Sequence, residues 1–185
     1  YLTDEGRWTE PARGFALARS LDLDGWARLH LLLTPLFQSA VALAFLLGDV
    51  SLSSARSVSA VSGAALLVVA FLFLRRRVVG LVLALTVAIL AFQPDLLFFS
   101  RVAIPEMSAL VFGFCAFACL MWRPGSRKWM FLGGLVTSLA LAFKLTTAPL
   151  VPILAVVAGA VGGPHSVRQG LRQSAVFLSG VILTG

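Results

Sequence analysis

Charged residues are scarce in this sequence: they make up 12% of it, whereas 59% of the residues are hydrophobic and the mean hydropathy is +0.95. A soluble domain carries about 25% charged and about 45–50% apolar residues, and a disordered chain is less apolar still. The composition therefore excludes both classes and indicates a polytopic membrane protein. A net charge of +7 would suggest nucleic acid in a soluble chain, but the placement of the charges described below argues against a nucleic-acid partner.

Cysteine and histidine are also rare, with two residues of each. Cys115 and Cys119 lie four residues apart in an apolar segment and are too few for a disulfide framework or a metal site. We interpret them as packing residues. His30 and His165 are expected on opposite sides of the membrane, which argues against a shared metal site. The sequence also has no Gly-rich phosphate loop, and this argues against a nucleotide-driven pump.

Neither end of the sequence has the features of a chain terminus. The first residues include no initiator Met and no signal peptide, and the last ones lie inside an apolar run. We therefore expect a fragment of a longer protein.

Apolar runs close to membrane-spanning length fill most of the sequence, since a helix needs about 20 residues to cross a bilayer. We predict an all-α, polytopic transmembrane helical bundle in three parts. Residues 1–29 form an extracytoplasmic loop of interfacial helices, residues 30–48 form a re-entrant or interfacial helix, and residues 49–185 form a bundle of about six helices, the last one truncated. The runs lie at about 30–48, 56–74, 78–93, 107–122, 129–143, 145–163 and 174–185.

Basic residues alone occupy three of the breaks between these runs, and all eight acids lie elsewhere. Because two apolar runs separate successive basic breaks, the three breaks share one side, which the positive-inside rule makes cytoplasmic. Residues 49–56, residues 94–106 and the neighbourhood of Lys144 then face outward. The basic residues of the three breaks are Arg75, Arg76, Arg77, Arg123, Arg127, Lys128, Arg168 and Arg172.

The run at 30–48 would upset this arrangement if it crossed the membrane, because Asp4 would then lie opposite Glu106. It also contains Thr34-Pro35 near its start. We therefore predict that it does not cross. The preceding residues 1–29 mix Trp and Arg with apolar positions, as interfacial helices do, so Asp4 and Glu106 share the outer face.

Carboxylates on that face are the candidate catalytic residues: Asp4, Glu5 and Glu106. Glu106 immediately precedes the apolar run 107–122. An ionised carboxylate at this position is energetically unfavourable unless it faces a polar cavity or pairs with a cation. The alternative is an acid that is favoured simply by the dipole at a helix N-terminus. For Asp4 and Glu5 the alternative is a solvated surface pair.

Cations accompany these acids, namely Arg56, Arg101 and Lys144. Such cations can hold a lipid-linked phosphate while a carboxylate deprotonates an incoming hydroxyl or amine as general base. Arg56 and Arg101 could equally be interfacial anchors. A divalent metal between Asp4 and Glu106 stays open, although two carboxylates make an incomplete oxygen shell, and no cofactor is required.

In the order of its motifs, the sequence resembles membrane glycosyltransferases of the GT-C type, in particular the dolichyl-phosphate-mannose-protein mannosyltransferase-like family, which includes bacterial lipid A aminoarabinose transferases. It departs from the family pattern at Trp8, Thr34 and Glu106, where Tyr, Pro and Asp are common. The motifs are Asp4-Glu5-Gly6-Arg7-Trp8, Thr34-Pro35-Leu36, Leu47-Gly48, Ala55-Arg56-Ser57-Val58-Ser59-Ala60, Ser100-Arg101-Val102-Ala103, Pro105-Glu106 and Ala142-Phe143-Lys144-Leu145-Thr146.

The resemblance implies an inverting transfer of a sugar from a polyprenyl-phosphate donor, outside the cytoplasm, to a lipid, glycan or protein acceptor. It implies Asp4 as catalytic base and Glu106 as a second acid, with Arg56, Arg101 and Lys144 near the donor phosphate. Because nearly all basic residues are Arg, a GC-rich bacterial source and a bacterial inner membrane are expected. The alternatives are a transporter, for which the sequence shows no internal repeat, and a non-catalytic membrane subunit.

Overall fold

The computed structural model describes residues 3–18, 25–161 and 167–183, and these form an all-α structure without strands in the described part. This confirms the predicted all-α class. The helices are α1 (Thr3–Ala18), α2 (Gly25–Leu33), α3 (Pro35–Leu47), α4 (Leu52–Leu74), α5 (Gly80–Ala91), α6 (Pro94–Arg101), α7 (Glu106–Trp122), α8 (Arg127–Phe143), α9 (Leu150–Ala160) and α10 (Val167–Ile182), with a short 3-10 turn at Leu145–Thr147.

Side-chain caps and prolines set several of the helix starts. Ser51 precedes α4, and its Oγ accepts a hydrogen bond from the Ser54 N–H at 3.2 Å. Pro35 and Pro94 each open a helix, at the position where the missing N–H costs nothing. Between α7 and α8 the chain reverses at Gly125, whose φ of +81° a residue with a side chain rarely adopts.

The region between Gln93 and Glu106 differs from the outer loop that we expected. Pro94 starts the additional helix α6, and Gln93 caps it by accepting the Leu96 N–H at 2.7 Å. The apolar run at 145–163 is likewise divided, because a 3-10 turn precedes α9. Proline therefore begins a helix where a loop was expected, at Pro94, and Pro149 precedes α9 in a run where hydropathy alone indicated one element.

Two main clusters of buried side chains hold the helices together. The first joins α1, α3, α4 and the segment before α7, and the second joins α7, α8, α9 and α10. A smaller cluster packs α4 against α7 and consists of Leu66, Met107 and Val111. The first cluster contains Ala12, Phe37, Val41, Ala42, Phe45, Ala55 and Ala103, and the second contains Ala116, Leu120, Met130, Leu154, Ala158 and Phe177.

Small residues let α10 approach its neighbours closely. A Cβ at Gly134 of α8 would lie 2.1 Å from the carbonyl oxygen of Phe177, and one at Gly180 would lie 2.4 Å from that of Phe131. Gly159 of α9 approaches Gly170 in the same way, with its Cβ position 3.2 Å from the Gly170 carbonyl oxygen. Gly159 therefore has a packing role between α9 and α10.

By length and composition, one described helix suffices to cross a membrane: α4, with 23 residues. The pair α5 and α6 would count as a second crossing, bent by 51°. The apolar helices α3, α7 and the 3-10 turn with α9 are shorter. With 13 residues, α3 extends about 20 Å, against about 30 Å for a hydrocarbon core.

We predict that Gly134→Ala destabilises the fold, because the added methyl group would overlap a backbone oxygen that cannot move independently of α10. Overpacking of this kind costs about 1–3 kcal/mol. Thermal unfolding of the detergent-purified protein measures the change. Gly6→Ala in α1 is the control, since its Cβ would meet nothing within 4 Å. Equal melting temperatures for the two variants would contradict the close packing of α8 and α10.

Candidate active site

Glu5 is a buried carboxylate that forms an ion pair between α1 and α4 with the partly exposed Arg56. Its side chain is only 2% exposed. Arg56 donates two hydrogen bonds to it, from Nε to Oε1 at 3.0 Å and from Nη2 to Oε2 at 2.8 Å. The backbone N–H of Ala103 donates a third, to Oε1 at 2.7 Å. The bidentate contact between Arg56 and Glu5 is the geometry in which an arginine binds a carboxylate most strongly. Glu5 therefore joins α1 to α4 and to the turn before α7.

The surroundings of Glu5 keep it ionised. The hydrogen bond from Arg56 lowers the pKa of its carboxyl group below the usual value, against the opposing effect of burial, and the Ala103 N–H adds to the lowering. Both carboxylate oxygens are occupied by these donors. This geometry favours a positioning role for Glu5 over that of a proton acceptor.

Glu106 and Lys144 form a second ion pair, between the start of α7 and the end of α8. Lys144 Nζ contacts Glu106 Oε1 directly, and the two side chains are 19% and 31% exposed, respectively. The other carboxylate oxygen, Oε2, is buried and has no hydrogen-bond partner among the described residues. Glu106 thus pairs with a cation, as expected of a carboxylate beside an apolar helix, and retains hydrogen-bonding capacity.

Trp8 connects the two ion pairs. It lies one helical turn after Glu5 on α1, and its ring centroid is 5.9 Å from Lys144 Nζ. The ring of His30 packs against it at 4.6 Å. The Trp8 carbonyl oxygen accepts a hydrogen bond from Gln38 Nε2 at 2.6 Å, so α3 also fixes this residue.

The structure therefore brings four of the six candidate residues to one end of the molecule: Glu5, Arg56, Glu106 and Lys144. Asp4 lies in the first turn of α1, and its side chain is outside the described part of the structure. A cavity of about 330 Å³ opens beside Glu5, between α1, the end of α3 and the start of α4.

Arg101 takes no part in these ion pairs. It is exposed, ends α6 and makes no ion pair within the described ranges. It lines a largely apolar groove of about 260 Å³, whose other walls include Gly63 and Leu67 of α4, Leu90 of α5 and Leu97 of α6. Arg101 is close in sequence to Ala103, so the groove adjoins the segment that binds Glu5.

Several contributors to this site could not be inferred from the pattern of charged residues. The Ala103 N–H is a backbone group, and the roles of Trp8 as connector and of Gln38 as its anchor follow only from the fold. The sequence does contain one signal for such a contact, since a polar Gln38 inside the apolar run 30–48 requires a hydrogen-bond partner. Within the described ranges, no three His, Cys, Asp or Glu side chains converge as metal ligands.

A comparison with protein families identifies the chain. Residues 34–162 match the model of the dolichyl-phosphate-mannose-protein mannosyltransferase family, which is more than half of the sequence. The chain belongs to this family. Membership confirms the resemblance seen in the motifs and implies a glycosyltransferase. Neither the curated proteins nor the solved structures contain a significant match.

The match to this mannosyltransferase family includes most of the candidate site. Arg56, Arg101, Glu106 and Lys144 lie inside the matched range, whereas Glu5 and Trp8 precede it. The structure nevertheless joins the preceding helix α1 to the matched part through the contacts of Glu5 and Trp8.

We predict that Glu5→Gln destabilises the fold by about 1.5–3 kcal/mol, because it removes the charge from hydrogen bonds to a buried group. Since the folded pKa is lowered, the contribution of Glu5 is complete above its unfolded pKa of about 4.5 and is lost as the pH falls through the folded pKa. Unfolding free energies of wild type and variant between pH 3 and 7 should thus converge in acid.

Glu10→Gln is the matched control, because the pair of Glu10 with Arg13 at 3.5 Å is solvent-exposed. Such a pair is worth about 0–1 kcal/mol. A loss for Glu5→Gln no larger than for Glu10→Gln would show that the Glu5 contacts do not stabilise α1.

Proposed function

We propose that this protein transfers a sugar from a polyprenyl-phosphate donor to a lipid, glycan or protein acceptor at the extracytoplasmic face of a membrane. The observation that carries the proposal is the Glu106–Lys144 pair beside Trp8, which joins a carboxylate and a cation at one site in a member of a mannosyltransferase family. A carboxylate can take a proton and a cation can hold a phosphate, so the pair supplies both requirements of the reaction.

In the proposed reaction, a carboxylate removes the proton from the acceptor hydroxyl group. The acceptor oxygen then attacks the anomeric carbon, the bond from this carbon to the phosphate oxygen breaks, and polyprenyl phosphate leaves with the electron pair. The family resemblance assigns the base to Asp4, and the geometry supports Glu106 as the partner acid. Glu5 is assigned a positioning role, since its oxygens already bind Arg56 and Ala103.

Lys144 is assigned to the donor phosphate. In the present arrangement its ammonium group contacts Glu106, so an arriving phosphate would compete with that carboxylate and release Oε1 for the acceptor. Cations suffice to balance the charge of the leaving phosphate, and the proposed transfer therefore needs no cofactor. Activity with EDTA, followed by addition of Mg²⁺ or Mn²⁺, tests the divalent metal that the sequence leaves open.

The groove beside Arg101 is assigned to the polyprenyl chain. Its walls are mostly apolar, and Arg101 provides a cation at its edge. Small residues on α4, including Ala60 and Ala64, leave the space between α4, α5 and α6. An isoprenoid chain could lie there with its phosphate near Arg101.

A polytopic bundle in a bacterial inner membrane is the proposed setting. Apart from Thr86, the side chains of α5 are apolar, none is buried, and Leu81 and Ile89 are 73% and 70% exposed. An apolar surface of this extent is typical of a helix that contacts lipid or another protein. The acid-free loops that contain Arg75 and Arg123 then face the cytoplasm, and Glu106 and Lys144 face outward. Residues 30–48 remain proposed as re-entrant or interfacial.

We predict that Asp4→Asn, Glu106→Gln and Lys144→Gln each reduce sugar transfer in the full-length protein, by about 10²–10⁴-fold where the residue acts as base. Proteoliposomes containing radiolabelled polyprenyl-phosphate mannose provide the assay, with label followed into lipid, glycan and protein fractions. Glu10→Gln is the control. Unchanged transfer in Asp4→Asn and Glu106→Gln would refute the proposed chemistry.

Two other outcomes of this assay would support different functions. Label that enters the vesicles without forming a product would support a transporter. Loss of complex assembly without loss of transfer would support a non-catalytic subunit.

We predict that Ala64→Phe raises the apparent KM for a long-chain donor several-fold, because the ring would occupy the groove, and has less effect on a donor with one or two isoprene units. Arg101→Gln should raise KM for both donors, because a charge-assisted hydrogen bond to phosphate contributes about 1.5–3 kcal/mol. Steady-state kinetics with matched short and long donors measures both effects. An equal KM change for both donors in Ala64→Phe would exclude the groove as the chain site.

A further inference from the structure

The end of the molecule remote from Glu106 carries a continuous cationic surface. The turn after α4 packs on the end of α7, because Arg77 Nη2 donates to the carbonyl oxygen of Met121. The turn after α7 lies against α10, since a Cβ at Gly125 would be 3.9 Å from Gln173 Nε2. The fold thus brings together three basic segments that are far apart in the sequence.

Exposed basic side chains dominate this cationic surface, and no acid lies in the loops that form it. All eight acids of the chain occupy other segments, and the ion pairs among the described residues involve none of these cations. Their charge is therefore available to an external anion. The exposed members are Arg75, Arg76, Arg77, Arg123, Arg127, Lys128 and Arg172.

Two tryptophans order part of the cationic surface. The Arg76 guanidinium lies 3.9 Å from the centroid of the Trp122 ring, and Trp122 packs on Trp129 at 5.8 Å. A guanidinium stacked in this way keeps its N–H edge free to bind an oxyanion. Trp beside Arg at the ends of apolar helices is typical of the level of lipid headgroups.

Exposed apolar side chains adjoin the cations. Val79 and Leu81, just after Arg77, are 83% and 73% exposed. A surface that changes from cationic to apolar within four residues matches the boundary between the headgroups and the acyl chains of a membrane. A nucleic acid would match the charges but not this apolar margin.

We propose that the cationic surface is a binding site for the phosphate groups of anionic phospholipids. Arg76 and Arg77 are held by Trp122 and by the Met121 carbonyl, and the remaining cations surround them. This site is distinct from the sugar-transfer site, because Arg56 and Arg75 are separated by about 28 Å along α4, at about 1.5 Å per residue. The inference does not rest on the proposed transfer reaction.

The test measures binding of fluorescent phosphatidylglycerol and phosphatidylcholine to the detergent-purified, full-length protein. Each basic residue near an anionic headgroup contributes about fivefold to affinity, so Arg75→Gln/Arg123→Gln/Lys128→Gln should weaken phosphatidylglycerol binding by about 100-fold. Raising the salt concentration should weaken wild-type binding as well. Arg76 and Arg77 are left intact because they contact Trp122 and Met121.

The matched control is Arg7→Gln/Arg13→Gln/Arg28→Gln, which removes three exposed cations from α1 and α2 and should leave binding near the wild-type value. Equal affinity for both lipids, or an equal loss in the two triple variants, would overturn the proposal. Displacement of phosphatidylglycerol by an oligonucleotide at equal phosphate concentration would identify a general polyanion surface instead. Displacement by inorganic phosphate at that concentration would identify a free-phosphate site, and either result would also overturn it.

Discussion

The buried carboxylate of Glu5 is the constraint on which the candidate site depends. An ionised carboxylate that is 2% exposed is unfavourable unless donors replace its lost water. Arg56 and the Ala103 N–H supply those donors, from α4 and from the segment before α7. Helix α1 can therefore dock in this register only when both partners are in place. The first turn of α1, which contains Asp4, is fixed at the same time.

Docking of α1 also sets the surroundings of Lys144. Trp8 follows Glu5 by one turn, lies near the ammonium group and is anchored to α3 by Gln38. A lysine in an apolar setting needs a partner, and here it has Glu106 and an aromatic face. The two ion pairs thus form one structural unit although they share no residue. A substitution at Glu5 would therefore change the surroundings of Lys144 by shifting α1 and Trp8, and not by a direct electrostatic interaction.

The helical class and the family could be predicted from sequence, because each depends on local pattern. The pairing of acids with cations could not, since Glu5 and Arg56 are 51 residues apart and Glu106 and Lys144 are 38 apart. Nor does residue type reveal that the backbone N–H of Ala103 donates the third hydrogen bond to Glu5. The position of Arg101 beside an apolar groove likewise follows from α6, a helix that Pro94 begins within an expected loop.

Arginine has two different functions at the two ends of α4, and the difference lies in its partners. Arg56 meets a buried carboxylate and becomes part of the fold. Arg76 meets Trp122 instead, and its charge stays available at the surface. Counting basic residues by loop, as the positive-inside rule does, treats both as equal. The fold separates them, because α1 brings Glu5 to Arg56, whereas Arg76 forms no ion pair with an acid among the described residues. Charge segregation along this helix therefore depends on tertiary structure as well as on sequence.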